Sequence, residues 1–214
     1  MKITKIQFQM KRGAHLFLFL LFGSALCLQD AHVASSQRGW AYLEGYQDVH
    51  KCDGSCNTSP YQVFATSHTP AADSTASTCF AISAPGCAAP PDSCCSGLSR
   101  QLRNLVFSVE PSCQASFLRA SLNGKELPGA IVGHGAHARL TLGPVGLDAW
   151  SALGSRLCVT LKQPCSSFER LCNMTSASGR PYCVYTVEEE DHPKCCATCQ
   201  LDLKSTNSVC GGGG

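Results

Sequence analysis

The sequence predicts an all-β fold, a disulfide-rich, β-sandwich-like single domain with short helical turns and long loops. Three observations predict this class. Cysteine accounts for 16 of the 214 residues, a density typical of exported domains that depend on disulfides for stability. Apolar and polar residues alternate with period two in five segments, as they do in half-buried strands. Proline and glycine separate these segments and mark turns.

The alternating segments predict strands with one face toward a core and the other toward solvent. Their core-facing positions are Leu105, Phe107 and Val109, then Leu118, Ala120 and Leu122, then Ala138, Leu140 and Leu142, then Leu157, Val159 and Leu161, and last Cys183, Tyr185 and Val187. Asn123-Gly124 follows the second segment and predicts a tight hairpin, because both residues tolerate positive φ. The best helical candidate is residues 147–153, and a short helical turn is expected at residues 166–171.

Residues 1–25 are predicted to be a cleavable export signal. Basic residues (Lys2, Lys5, Lys11 and Arg12) precede an apolar run at residues 15–22, and small residues follow at 23–25. The run is shorter than the roughly 20 apolar residues that cross a bilayer, so a membrane anchor is the weaker alternative. We expect no membrane span once the signal is removed.

The rest of the chain divides by cysteine content. We expect residues 26–48 to be a polar N-terminal lead-in, residues 49–200 to be the cysteine-rich domain, and residues 201–214, which end in four glycines, to be a flexible tail. The signal carries four of the 17 Lys and Arg residues and none of the 15 acidic ones, which leaves 13 against 15. The mature chain therefore lacks the basic stripe that nucleic-acid binding requires, and no nucleic-acid partner is predicted.

Fourteen cysteines are predicted to close the domain with seven disulfides, because their number is even and the compartment is oxidising. They are Cys52, Cys56, Cys79, Cys87, Cys94, Cys95, Cys113, Cys158, Cys165, Cys172, Cys183, Cys195, Cys196 and Cys199. Their connectivity stays open at this stage. Neighbouring α-carbons are about 3.8 Å apart, whereas a disulfide prefers about 5.5 Å. Each member of the two Cys-Cys pairs should therefore reach a different part of the chain.

Two cysteines lie outside this set, at Cys27 and Cys210. Signal cleavage after residue 25 would retain Cys27, and cleavage after residue 27 would remove it. Both are candidates for intermolecular bridges, which would produce a disulfide-linked oligomer.

No catalytic residue, metal ligand or cofactor is predicted. The CC-x-x-C cluster at residues 195–199 lacks the second ligand pair that a zinc site needs. The acidic run at residues 188–191 lacks the alternating ligands of a calcium loop, so a solvated loop is the favoured interpretation. His134 and His137 occupy a glycine-rich turn without the spacing of a zinc protease motif. Hydrolase elbows and phosphate-binding loops are absent from the sequence, so no enzyme is expected.

Two sequons predict N-linked glycosylation, at Asn57 and Asn173. Each follows a cysteine directly, which favours an exposed loop beside a disulfide. The Ser/Thr-rich stretch at residues 65–78 is a weaker candidate for O-linked sugar.

An ordered series of short motifs runs through the domain. It comprises Ser59-Pro60-Tyr61, Cys79-Phe80-Ala81-Ile82, Gly86-Cys87, Cys94-Cys95, residues 102–109, Cys113, Leu122-Asn123-Gly124, Leu140-Thr141-Leu142, residues 157–161, Cys165, Leu171-Cys172, Tyr182-Cys183-Val184 and Cys195-Cys196. With its motifs in this order, the chain resembles the pherophorin domain of extracellular-matrix glycoproteins of volvocine green algae. The resemblance covers about residues 49–199. The spacing Cys52-x-x-x-Cys56 is wider than in the family, and Ala197 stands where proline is common.

The resemblance implies a secreted structural glycoprotein of the extracellular matrix or cell wall. Its implied partners are other matrix glycoproteins or polysaccharide. The alternative is a secreted recognition module that binds carbohydrate or acts in adhesion or in sexual or stress signalling.

Overall fold

The computed structural model describes residues 52, 54–88, 93–134, 136–189 and 195–203. All of them belong to one compact unit, Gly45–Gly214. The predicted export signal and lead-in lie outside the described residues, as does the tail from residue 204. The last strand ends at Asp202, and Leu201 and Leu203 are buried. The ordered domain therefore extends beyond residue 200, where the sequence predicted a flexible tail to begin.

Two antiparallel sheets form the domain. The first has the order β1 (Gln62–Pro70), β2 (Ala76–Ser83), β8 (Ser155–Leu161), β4 (Phe117–Leu122) and β5 (Lys125–Leu127). The second has the order β11 (Cys196–Asp202), β10 (Pro181–Glu188), β3 (Asn104–Val109), β7 (His137–Leu142) and β6 (Gly129–His134), and β9 (Met174–Thr175) pairs with β10. The predicted all-β class is confirmed.

The two sheets enclose one hydrophobic core. Phe80 of β2 and Phe107 of β3 belong to different sheets, and their ring centroids lie 5.8 Å apart. Phe168 packs edge-on against both rings, with centroid distances of 4.7 and 5.2 Å. The Tyr185 hydroxyl accepts a hydrogen bond from the Val63 N–H at 3.2 Å, which joins β10 to β1. These contacts across the sheets make the domain a sandwich.

All five predicted strands are present, but the predicted alternation does not hold throughout. In β3 both faces are buried, because Val106 and Ser108 are only 6% and 5% exposed. In β7 and β8 the predicted apolar positions are all buried. In β4, however, the pairing with β8 shifts register between Phe117 and Arg119, and Leu118 is 44% exposed. The prediction of a core-facing Leu118 is wrong, because a bulge inserts one extra residue and reverses the local alternation.

The predicted hairpin at Asn123-Gly124 is confirmed. Both residues have positive φ, 52° and 80°, and Leu122 pairs with Lys125 across the turn. The Asn123 side chain accepts the Arg156 N–H through Oδ1 at 2.8 Å. The hairpin is thereby attached to the start of β8.

The helices depart from the sequence prediction. Residues 147–153 form a hydrogen-bonded turn that contains no α-helix, whereas α1 spans Ser93–Arg100, where no helix was predicted. The short helical turn expected at residues 166–171 is present as α2 (Phe168–Cys172), capped by the Ser167 hydroxyl. A run of cysteine and serine has low helix propensity, so the sequence carried no signal for α1.

Buried tyrosine makes the domain sensitive to alkali. Burial raises the pKa of Tyr185 to about 12, and the hydrogen bond from Val63 only partly opposes this shift. An unfolded tyrosine titrates near pH 10. The stabilisation that protonated Tyr185 contributes is therefore complete below pH ~10. It is lost as the pH rises toward 12, which lowers the free energy of unfolding by about 2–3 kcal/mol.

Urea unfolding between pH 8 and pH 11 tests this expectation. Tyr185→Phe should be less stable near neutral pH by about 1 kcal/mol, because the Val63 N–H loses its acceptor. The variant should nevertheless lose less stability between pH 9 and pH 11 than the parent protein. Parallel pH profiles for the two proteins would contradict the assignment.

Candidate functional site

Seven disulfides are the dominant feature of the described domain. They join Cys52–Cys196, Cys56–Cys199, Cys79–Cys158, Cys87–Cys95, Cys94–Cys195, Cys113–Cys165 and Cys172–Cys183. Every described cysteine is in one of these bridges. Cys27 and Cys210 lie outside the described residues.

Three of the bridges converge on the start of β11, and we call them the β11 clamp: Cys52–Cys196, Cys56–Cys199 and Cys94–Cys195. The first two hold the segment before β1 against β11, and the third holds α1. Cys195 and Cys196 are neighbours yet bond to different segments, as the α-carbon spacing requires. The clamp therefore ties the beginning of the domain, its first helix and its last strand to one point.

The β11 clamp also determines whether the CC-x-x-C cluster has thiolates that could bind zinc. Zinc binds thiolates, and the sulfurs of Cys195, Cys196 and Cys199 are all in disulfides. Within the described residues, no group of three or more His, Cys, Asp or Glu side chains could hold a metal ion. No helix among the described residues is long and apolar enough to cross a membrane.

A fourth bridge, Cys79–Cys158, crosslinks the directly opposed positions of β2 and β8. It lies on the outer face of the first sheet, because the neighbouring Phe80 and Leu157 point into the core. The Arg156 guanidinium donates to the Cys79 sulfur through Nη2 at 3.4 Å.

The two sequon asparagines are both exposed. Asn57 lies in a 3₁₀ helix, Cys56–Thr58, beside the Cys56–Cys199 bridge. Asn173 has a φ of 49° and ends α2, and its Nδ2 donates to Glu110 Oε2 at 3.2 Å. Each asparagine that could accept a glycan therefore lies at the surface next to a disulfide.

The hydroxyl groups that complete the two sequons differ in environment. Thr175 is exposed, whereas Ser59 is 4% exposed and hydrogen bonds to the backbone of Tyr61. The folded domain therefore leaves the Asn173 sequon accessible and encloses part of the Asn57 sequon.

We expect a glycan on Asn173 in protein secreted from a eukaryotic host. Asn173→Gln and Thr175→Ala should both remove it, which would show as a gain in gel mobility before N-glycosidase treatment and a smaller mobility shift after it. Thr175→Ser retains the sequon and serves as the matched control. Equal mobility of all four proteins would contradict occupancy at this site.

The acidic run differs from the expected solvated loop. Glu188 ends β10 and accepts from Asn104 Nδ2 at 3.0 Å. Glu189 is only 6% exposed, and its Oε1 has no hydrogen-bond partner. Its other carboxylate oxygen lies against Gly97 of α1, where an added Cβ would collide with it. The solvated-loop prediction is therefore wrong for Glu189, while Glu190 and Asp191 lie outside the described residues.

His134 and His137 are partners in the register of the β6–β7 hairpin. The structure does not describe the His134 side chain.

Sequence reasoning missed one surface feature, an exposed apolar turn at residues 148–155. Trp150 is 85% exposed and Leu153 is 58% exposed. The predicted helix at residues 147–153 implied buried apolar residues here, because an amphipathic helix buries one of its faces.

Comparison with known proteins establishes the family. A family model described as Pherophorin matches residues 48–197, which is most of the chain. The chain belongs to the pherophorin family. The pherophorin domain thus contains all the described strands up to the beginning of β11, and the match agrees with the resemblance inferred from the ordered motifs. Family membership and the extensive disulfides together indicate an extracellular protein.

Other comparisons add little to the pherophorin assignment. Among solved structures, the domain is similar to a non-cellulosomal cohesin from the hyperthermophilic archaeon Archaeoglobus fulgidus, with 7% identity and a TM-score of 0.27. That similarity covers 69% of this chain and 94% of the cohesin. A search of curated proteins found no match.

Proposed function

We propose that this pherophorin domain is a secreted structural glycoprotein of the extracellular matrix or cell wall. It acts as a stapled module that binds other matrix glycoproteins or polysaccharide. The observation that carries the proposal is the pairing of all described cysteines within a domain of the pherophorin family. No catalytic role is proposed for any residue.

The disulfides explain how such a module would resist unfolding under mechanical force in a matrix. Bridges restrict the unfolded chain, and those that close long loops restrict it most. The Cys52–Cys196 and Cys56–Cys199 bridges close loops of 144 and 143 residues. Force applied near the start of the domain therefore reaches β11 through covalent bonds rather than through β-sheet hydrogen bonds alone.

Two further elements of the proposal concern attachment. Glycans on Asn57 and Asn173 would add a hydrophilic surface beside the disulfides. Cys27, if the signal is cut before it, and Cys210 would form bridges between chains, because both lie outside the set that closes the domain.

Localisation combined with extraction tests the proposal. The tagged mature protein should be found in the insoluble matrix, and reductant should increase its release. A Cys210→Ser variant should be extracted more easily without reductant, whereas Ser208→Ala is a matched control in the same segment. Protein found freely in the medium and absent from the insoluble fraction would overturn the structural role.

The exposed Trp150 favours a second candidate function, a secreted recognition module. A soluble recognition protein should be found in the medium and should be produced mainly during mating or stress. A structural protein should be produced constitutively and accumulate in the matrix.

A further inference from the structure

We propose that the turn at residues 148–155, here named the Trp150 turn, is a binding platform for a neutral polysaccharide, with the Trp150 indole stacked on a pyranose ring. This inference rests on the proposed function and deepens it by naming the class of partner and the site of contact.

The first observation is the exposure of the ring. Trp150 is 85% exposed, the highest value among the exposed large hydrophobic side chains of the described residues. Leu153 lies three positions later and is 58% exposed. The Leu153 N–H donates to the Trp150 carbonyl at 3.3 Å. Such an i→i+3 hydrogen bond brings the two side chains to the same side of the turn.

The second observation is that the turn beneath this surface is rigidly held. The Asp148 carbonyl accepts the Ala152 N–H at 2.9 Å, and the Ala149 N–H donates to the Ser99 carbonyl at 3.0 Å. Ala152 is fully buried and anchors the turn to the core. A pre-ordered platform loses little conformational entropy when a ligand binds. Backbone hydrogen bonds and the buried Ala152 therefore hold the segment that carries Trp150.

The third observation is the polar rim of the turn. Asp148 Oδ1 accepts hydrogen bonds from the Trp150 N–H at 3.0 Å, and from the Ser151 N–H and hydroxyl at 2.7 Å each. These bonds, chiefly those from Ser151, hold the pKa of the Asp148 carboxyl below its usual range. All three of these hydrogen bonds end on Oδ1. The ionised carboxylate of Asp148, which contacts the Trp150 backbone, can accept from sugar hydroxyls.

The chemistry of the surface selects the ligand. The face of an aromatic ring carries negative charge density. A pyranose whose hydroxyls are equatorial presents polarised C–H groups on its faces, so it complements the indole. The Asp148 carboxylate opposes an acidic ligand through like-charge repulsion. The surface therefore fits a neutral sugar chain better than an acidic one.

The size of the surface also favours sugar over protein. A tryptophan side chain covers about 150–250 Å², whereas each partner of a stable protein complex contributes about 800 Å². In the Trp150 turn, only Trp150 and Leu153 are large exposed hydrophobic residues. Their area matches one or two sugar rings and is too small for the apolar centre of a protein interface.

Calorimetric titration of the secreted full chain tests the inference, with cellohexaose as the neutral probe and oligogalacturonate of equal length as the acidic probe. Cellohexaose should bind, and more tightly than oligogalacturonate. Trp150→Ala should weaken binding at least tenfold, and Leu153→Ala should weaken it by a smaller factor. Phe64→Ala is the matched control, because Phe64 is a 47% exposed aromatic residue on β1, and its binding should be unchanged.

Fluorescence gives an independent measure, because the chain has only two tryptophans, Trp40 and Trp150. In a Trp40→Phe background the emission should be that of a solvated indole and should change on addition of cellohexaose. Failure of cellohexaose to bind, or equal binding by Trp150→Ala, would overturn the inference. A blue-shifted emission before any ligand is added would also overturn it. A Trp150→Ala variant that loses a protein partner but still binds sugar would overturn it as well.

The inference and the proposed function can fail separately. If the protein enters the insoluble matrix but Trp150→Ala binds cellohexaose normally, the structural role stands and the platform does not. If binding depends on Trp150 but the protein stays in the medium, the platform stands and the structural role does not.

Discussion

Replacing Phe107 with alanine is expected to lower the free energy of unfolding by about 3–5 kcal/mol, the cost of truncating a buried aromatic side chain. Phe107 is fully buried on β3, the central strand of the second sheet. Its ring lies between Phe168 and Tyr185, with centroid distances of 5.2 and 6.2 Å. Alanine would leave a cavity where the two sheets meet, and surrounding disulfides would limit collapse into it.

Urea unfolding monitored by near-ultraviolet circular dichroism would measure the effect of this change. The midpoint should fall while the dependence of free energy on urea concentration stays constant. Phe64→Ala is the control, since Phe64 is 47% exposed, and its cost should be about 1 kcal/mol or less. Equal losses in the two variants would show that the core is not centred on Phe107.

Removing the Cys113–Cys165 bridge by a double alanine substitution is also expected to have a large effect. The bridge spans 52 residues, and both cysteines are buried. A loop of that length corresponds to a stabilisation of about 4 kcal/mol from chain entropy. The other bridges already restrict the unfolded chain, so the measured loss should fall between about 2 and 4 kcal/mol.

The matched comparison is the Cys87–Cys95 bridge, which spans only eight residues. Its removal should cost less, about 2.5 kcal/mol or below, because a short loop has less entropy to lose. Equilibrium unfolding of the two double variants under non-reducing conditions gives the comparison. A larger loss from the eight-residue bridge would show that native-state contacts, rather than loop length, set the stabilisation.

Period-two patterns were sufficient to locate β3, β4, β7, β8 and β10, because a side chain must face the core or the solvent in alternation. The patterns did not identify β1, β2, β5, β6, β9 or β11. In β1, Ser and Thr occupy most of the later positions, and residues 66 and 68–70 are exposed. A half-exposed edge strand carries little hydrophobic signal, so the pattern at residues 65–78 predicts only a site for O-linked sugar.

Local preference and tertiary structure disagree at residues 147–153. The segment has good helix formers, yet it makes only a capped turn, because Gly154 reverses the chain at a φ of 74° and Ser155 begins the next strand. Conversely, α1 forms from residues of low propensity because Cys94 and Cys95 tie it to two other segments. In α1 a contact distant in sequence, the Cys94–Cys195 bridge, outweighs intrinsic preference. At residues 147–153 the adjacent Gly154 and β8 outweigh it.

The candidate sites also differ in how much of each the sequence predicts and how much only the fold reveals. Sequons are local patterns, so Asn57 and Asn173 were visible in the sequence, but only the fold shows that Thr175 is exposed while Ser59 is buried. The Trp150 turn gave no sequence signal, since a tryptophan in a mixed segment is ordinarily a core residue. The burial of Glu189 was also hidden, because a run of acidic residues normally lies in solvent.

The sequence by itself determined that the domain is β-rich and closed by an even set of fourteen cysteines, because periodicity and cysteine count are local properties of the chain. Its ordered motifs were also enough to indicate the family. Only the tertiary structure decided which cysteines pair, since fourteen cysteines permit a very large number of connectivities and the choice depends on which strands become neighbours. It also decided that Trp150 faces solvent, because exposure is a property of what packs around a side chain.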